Sequence, residues 1–179
     1  MQRINVEIKA KCTNPEKIRA VLGLKNAQFK GTDHQIDTYY NILNKGARMK
    51  IREGNIENFL IYYERKDTPQ PKKSDVILFD TEPYSPLGQI LEKSLGVLAT
   101  IDKEREIYVI ENMKFHVDKV KDLGTFIEIE ASDSTGIGES DLLEQCKQYM
   151  RLFDVKDEDL VEHSYSDMIL AAKAQSGTV

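Results

Sequence analysis

Residues 4–12 read INVEIKAKC, and the order of their side chains decides the fold. Ile4, Val6, Ile8 and Ala10 fall on one side of an extended chain, and Asn5, Glu7, Lys9 and Lys11 on the other. That strict period of two predicts a β-strand. More such stretches follow: 35–42 (QIDTYYNI), 47–53 (ARMKIRE) after the turn NKG, 59–66 (FLIYYERK) after the link GNIEN, 75–82 (DVILFDTE), 98–109 (LATIDKEREIYV), 113–120 (MKFHVDKV) and 124–132 (GTFIEIEAS). Prolines and polar residues mark DTPQPKKS, 67–74, as a loop.

Helices are predicted between and after the strands. Asn14 is placed as an N-cap with Pro15 at the first helical position, and Ile18, Val21 and Leu22 recur at helical spacing before Gly23. Ser85 to Leu95 carries Leu87, Ile90, Leu91 and Leu95 on one face and ends at Gly96. Two further helices, near 139–152 and 165–173, are expected to cover the outside of the sheet or to form a homodimer contact. The expected class is α+β, with one large antiparallel sheet and a single domain over 1–179 whose last residues, 173–179, fray.

The charged faces point to function. They carry Glu7, Lys9 and Lys11; Arg48, Lys50 and Arg52; Arg65; Lys103 and Arg105; Lys114, His116 and Asp118; and Glu128 and Glu130. An ordinary half-buried strand turns such a face to water. Arginines and lysines repeated at this spacing on so many strands favour an inverted barrel instead, with apolar faces outward under the helices and charged faces lining a tunnel. Unpartnered buried cations are costly, so the tunnel needs interleaved carboxylates and a strongly anionic ligand. A triphosphate meets that need, because guanidinium forks pair with phosphate oxygens and lysines act as point charges. The carboxylates Glu7, Glu128 and Glu130 suit a hard divalent cation, Mg²⁺ or Mn²⁺, bridging to phosphate.

The same residues carry a resemblance. NVEIKAK resembles the ExExK signature of the CYTH, or triphosphate-tunnel, family, with Glu7 and Lys9 as its second glutamate and its lysine and Asn5 in place of its first glutamate. QIDTYYN resembles the D-x-Y segment, ARMKIRE the basic strand, IYYERKD a later strand with Arg65, TIDKEREIY a K-x-R strand, and FHVDKVKDLGTFIEIE the closing hairpin; HSYSDMI is similar to the family near its end. The resemblance implies a closed antiparallel eight-stranded β-barrel with helices packed outside. It implies triphosphate binding by Lys9, Lys11, Arg48, Lys50, Arg52, Arg65, Lys103, Arg105 and Lys114, and metal binding by Glu7, Glu128 and Glu130. The expected catalytic set is Lys9, Arg52, Arg65, Lys103, Arg105 and Asp118, the last orienting a basic residue or accepting a proton. Asn5 tilts the reading toward class IV adenylyl cyclase-like members, which turn ATP into cyclic AMP and pyrophosphate. The alternatives are hydrolysis of inorganic, thiamine or nucleoside triphosphate, and binding without turnover.

Composition sets the outer bounds. The chain has 179 residues, 40% hydrophobic and 31% charged, the balance of a folded globular domain. A formal charge of -5 argues against nucleic-acid binding through overall electrostatics. Apolar runs fall short of a membrane span, and no leader pattern opens the chain, so a cytoplasmic location without a membrane partner is expected. Cys12 and Cys146 are read as reduced thiols. His116, Tyr39 and Tyr40 are read as structural groups, and Lys72 and Lys73 as solvated. Gly136 and Gly138 belong to no phosphate loop, because GxxxxGK[ST] is absent.

Overall fold

The computed structural model describes residues 2–65, 72–83, 85–133 and 136–175, and side chains among them except those of 2–4, 65 and 72. The elements run β1 (Gln2–Lys11), α1 (Pro15–Leu24), β2 (Gln28–Tyr40), β3 (Ala47–Gly54), β4 (Phe59–Arg65), β5 (Lys72–Asp80), α2 (Leu87–Leu95), β6 (Val97–Ile110), β7 (Met113–Val120), β8 (Gly124–Ser132), α3 (Glu139–Phe153) and α4 (Tyr165–Gln175). A 3-10 turn at Asp157–Asp159 precedes α4. The strands close into an antiparallel barrel in the order β1-β5-β4-β3-β2-β6-β7-β8, so the sheet has no free edge.

The barrel is inverted where the sequence predicts it. Val6, Ile8 and Ala10 of β1, Phe115 and Val117 of β7, and Ile127, Ile129 and Ala131 of β8 turn outward into one core with Ile18 and Leu22 of α1 and Leu142, Cys146 and Phe153 of α3. Helix α1 forms where the sequence places it: the Asn14 side chain accepts a hydrogen bond from the Lys17 amide at 3.1 Å and Pro15 fills the first turn. Cys146 is buried in this core, and burial pushes its thiol up to about 12. It and Cys12 are both free.

Besides β5, which begins at Lys72 inside the stretch 67–74 read as a loop, two features differ from the sequence reading. β2 begins at Gln28, well before 35, because polar residues on both faces of 28–34 hide its alternation while β6 still pairs with it as far as Val109. The ladder slips between Phe29 and Gly31, where φ is +132°, a backbone state that suits glycine. The last helices also divide their tasks. α3 covers β8 and β1 from outside, but α4 packs Tyr165 and Ile169 against Tyr39, Ile101, Val120 and Phe126, which point into the barrel. It therefore closes one end of the bore rather than covering the outside. No helix among the described residues is long and apolar enough to cross a membrane.

Candidate active site

The bore encloses a cavity of ≈ 160 Å³, against roughly 10–15 Å³ for a single water on that measure. Alternation along β1 sends Asn5, Glu7 and Lys9 into it; β3 sends Lys50 and Arg52, β6 Lys103 and Arg105, β7 Lys114 and His116, and β8 Glu128 and Glu130. β2 adds Asp37, and the β3–β4 loop adds Glu57.

Three carboxylate groups hold the cations. Asp37, 1% exposed, accepts from Lys50 Nζ at 2.7 Å, Lys103 Nζ at 2.6 Å, and Arg52 Nε and Nη2 at 2.8 and 3.1 Å. Burial alone would raise its pKa, but Arg52, Lys103 and Lys50 together hold it well below the usual carboxylate range. Lys103 is drawn well below an ordinary lysine by burial, which Asp37 opposes while Arg52, Arg105 and Lys50 repel its charge. Asp37 is the ionised partner of the group.

A second group joins β6, β7, β8 and β1. Arg105 Nε donates to Asp118 at 2.7 Å and Nη2 to Glu128 at 2.6 Å, and Lys9 reaches Glu128 at 2.9 Å. Burial pushes Glu128 up, yet Arg105, Lys9 and His116 leave it well below its usual range. Asp118 does not line the cavity; from behind, it fixes the Arg105 fork and accepts from the Tyr165 hydroxyl at 2.9 Å. The Lys9 ammonium lies 3.7 Å from the centre of the Tyr165 ring, a cation–π contact.

The third group rests on Glu57, which receives Arg52 Nη1 at 3.0 Å and Lys114 Nζ at 3.2 Å. Burial opposes its charge, and Arg52 and Lys114 overcome that to keep the carboxyl below its usual range. Its loop is pinned by Asp33, fully buried, which accepts the amides of Asn55, Ile56 and Glu57 at 2.6, 2.9 and 3.0 Å. Gly54 permits this: a Cβ there would stand 2.7 Å from Asp33 Oδ2 and 2.8 Å from the Glu57 carbonyl.

The carboxylates at the β1–β8 seam differ. Glu7 stands directly across the ladder from Glu130, and Asn5 Nδ2 donates to Glu130 Oε1 at 2.9 Å. The Asn5 amide is thereby oriented, and its Oδ1, buried, has no hydrogen-bond partner. Among the described residues no three His, Cys, Asp or Glu side chains form a ready metal cluster. Glu128 is engaged by Lys9 and Arg105, while Glu130 accepts from the Asn5 amide and stands across the ladder from Glu7. Two carboxylates and an orphaned amide oxygen are hard donors that fit Mg²⁺ or Mn²⁺. His116 Nε2 and Ser74 Oγ are also buried, unpartnered and on the cavity wall. A bore with this many unsatisfied atoms is built to receive a ligand.

Of the predicted site residues, Glu7, Lys9, Lys50, Arg52, Lys103, Arg105, Lys114, Glu128 and Glu130 meet at the cavity. Lys11, at the end of β1, is exposed and lines a separate pocket with Cys12 and Lys17. Arg48 turns to Asp167 of α4 at 3.3 Å. The Arg65 side chain lies outside the described residues. The sequence reading missed Asp37 as a site residue, although its alternation with Asp33 and Gln35 was a usable signal. Glu57, in a loop, gave none, and Tyr165, at a helix start, lies in the stretch HSYSDMI that carries the resemblance but was not singled out.

This arrangement, a closed barrel with charge pairs facing its bore, is that of a triphosphate-tunnel protein. The CYTH domain family matches residues 3–165, and the chain belongs to it. A Methanocaldococcus jannaschii protein, provisionally named an adenylate cyclase, is 29% identical over 173 residues, 92% of this chain and 98% of that one. A Pyrococcus horikoshii OT3 protein at 21% identity superposes with a TM-score of 0.77 over 91% of this chain and 98% of its own. A Hippeastrum protein, provisionally an adenylyl cyclase and described as having a dominant triphosphatase activity, is 12% identical and superposes at 0.59 over 99% of this chain and 97% of its own.

Proposed function

We propose that the tunnel is a metal-dependent active site for a triphosphate, working as an adenylyl cyclase that turns ATP into cyclic AMP and pyrophosphate. The observation that carries this reading is the convergence of Lys9, Lys50, Arg52, Lys103, Arg105 and Lys114 on one cavity. The likeness to the Methanocaldococcus protein over nearly its whole length supports the cyclase branch.

Each residue then has a task. Lys50, Arg52 and Lys103 on one side, and Lys9 and Arg105 on the other, hold the phosphates in line; phosphate oxygens replace part of what Asp37, Glu57 and Glu128 now supply. Glu7, Glu130 and the Asn5 oxygen would hold the divalent cation, with Glu128 beside them. When bound, that ion would neutralise phosphate charge and polarise the phosphoryl oxygens. Asp118 keeps Arg105 aimed. His116 Nδ1 faces Glu128 at a long 3.4 Å, and its unpartnered Nε2 would accept the proton of the attacking 3′-hydroxyl. The 3′ oxygen bonds to the α-phosphorus as the bond to the bridging oxygen breaks and pyrophosphate leaves.

Hydrolysis is the second reading, with water as the attacking group, and the dominant triphosphatase activity of the Hippeastrum protein of the same fold favours it. Incubation with ATP and Mg²⁺ or Mn²⁺, followed by product separation, decides. Cyclic AMP with pyrophosphate supports the first reading, and nucleoside diphosphate with phosphate the second. Binding without conversion contradicts both.

A further inference from the structure

Asp37 and Glu128 meet the bore cations from strands, where alternation aims them. Glu57 does so from the β3–β4 loop, where nothing periodic does. Its two cations do not depend on it for neutrality. Arg52 is already gripped by Asp37 through Nε and Nη2 at 2.8 and 3.1 Å, and the Lys114 side chain is 37% exposed to water.

The loop is nevertheless built to keep Glu57 in place. Fully buried Asp33 accepts the Asn55, Ile56 and Glu57 amides and Gln35 Nε2, the last at 2.7 Å, and all four donors are neutral. Gln35 Nε2 also reaches Glu57 Oε2 at 3.3 Å. Asn58 closes the turn on Gly54, accepting from its amide at 3.2 Å and donating to its carbonyl at 3.0 Å. One carboxylate is thus buried among amides, a costly arrangement without such bonds, in order to hold a second one inside the bore. The backbone cannot carry Glu57 away from Arg52 and Lys114 without breaking that seat. At 3.0 Å from Arg52 Nη1 and 3.2 Å from Lys114 Nζ, its oxygens stand where phosphate oxygens would bind, with the same sign of charge.

Resting on the triphosphate reading of the tunnel, we infer that Glu57 is a fixed competitor for phosphate at Arg52 and Lys114, seated by Asp33 and Gly54, and that it limits how tightly the bore holds polyphosphate. Equal grip on the ground state and the transition state adds nothing to the chemical step, and Glu57 keeps substrate and polyphosphate product dissociable. Asp33 and Gly54 are positioning residues that act through it.

The test is calorimetric titration of the metal-free protein with inorganic tripolyphosphate. Glu57→Gln is expected to lower Kd about tenfold or more, the scale of removing one like charge from beside a bound phosphate. In Gly54→Ala the new Cβ would stand within 2.8 Å of both Asp33 oxygens and the Glu57 carbonyl, forcing the loop off its seat. Kd should fall there too, and the substitution should add nothing on top of Glu57→Gln. A merely structural role moves the readout the other way, because a smaller folded fraction weakens apparent binding. Wild-type binding with a Kd unchanged or raised in Glu57→Gln overturns the competitor and leaves the triphosphate tunnel standing. A Kd that does not fall in Gly54→Ala, or falls further in the double variant, overturns the seat. A wild-type protein and variants that all fail to bind tripolyphosphate overturn the tunnel reading, and the competitor with it.

Discussion

The two walls of the bore are made of the same kind of strand and behave in opposite ways. At the cavity, β6, β7, β8 and β1 turn Lys103, Arg105, Lys114, His116, Glu128, Glu130, Glu7 and Lys9 inward, and on β7, β8 and β1 the outward side chains are apolar under helices α1 and α3. Among the described side chains of β4 and β5, Phe59, Ile61, Tyr63, Val76 and Leu78 turn inward with Ser74, while Ile77 and Phe79 point outward and are 49% and 63% exposed. The charged wall is held by a few exact pairings, and the apolar wall by area. Removing one partner from the first should therefore cost far more than trimming the second, and the contrast can be tested at several points.

The largest effect is expected at Asp37, which neutralises Lys50, Arg52 and Lys103 together. Asp37→Ala leaves buried cations facing one another and should lower the unfolding free energy by about 3–5 kcal/mol, read by denaturant titration. Added inorganic triphosphate should restore part of that loss. A loss under about 1 kcal/mol would place the charged wall on the same footing as the apolar one.

Next comes the β1–β8 seam. Glu7→Gln and Glu130→Gln should each reduce turnover by on the order of 10²-fold or more, comparable to removing a central electrostatic contact. Near-normal turnover in both would remove the metal from the seam.

Acid should expose the same contrast through pH. Asp37, Glu57 and Glu128 are all held below ordinary carboxylate values by neighbouring cations. The stability they add is complete above the unfolded-state pKa of about 4 and is lost as pH falls through the lower folded values. Stability read by thermal unfolding should drop as pH falls below about 5, by about 1.4 kcal/mol per pH unit for each proton taken up. Asp37→Ala should flatten that drop, and wall variants such as Leu78→Ala should not. On the outer face the effect is smallest: Phe79→Ser should change stability by no more than about 0.5 kcal/mol.

The same contrast decides what could be read from sequence. Strict alternation at Lys103 and Arg105, at Lys114 and His116, and at Glu128 and Glu130 identified the charged wall and its inward direction. FLIYYER and DVILFD are apolar on both faces, so period two carries no direction there, and the inward apolar wall was invisible. Asp37 shares a face with Gln35 and Tyr39 and was legible as inward, but its role as a hub depends on β3 and β6 arriving from either side. Glu57 reaches the bore only because Asp33 gathers three loop amides, a long-range event with no local pattern. Tyr165 plugs the barrel from the first turn of α4, where helical periodicity reports a face and not an end.

The most direct measurement is thermal unfolding of the metal-free protein against inorganic tripolyphosphate, a probe of the charged wall alone. At a ligand concentration about 100-fold above Kd, binding adds about 2.7 kcal/mol, which for a domain of this size raises Tm by about 5–10 °C. The rise should shrink with added salt and vanish in Arg52→Ala combined with Arg105→Ala. A Tm that stays put at millimolar tripolyphosphate would contradict a bore built around a polyphosphate.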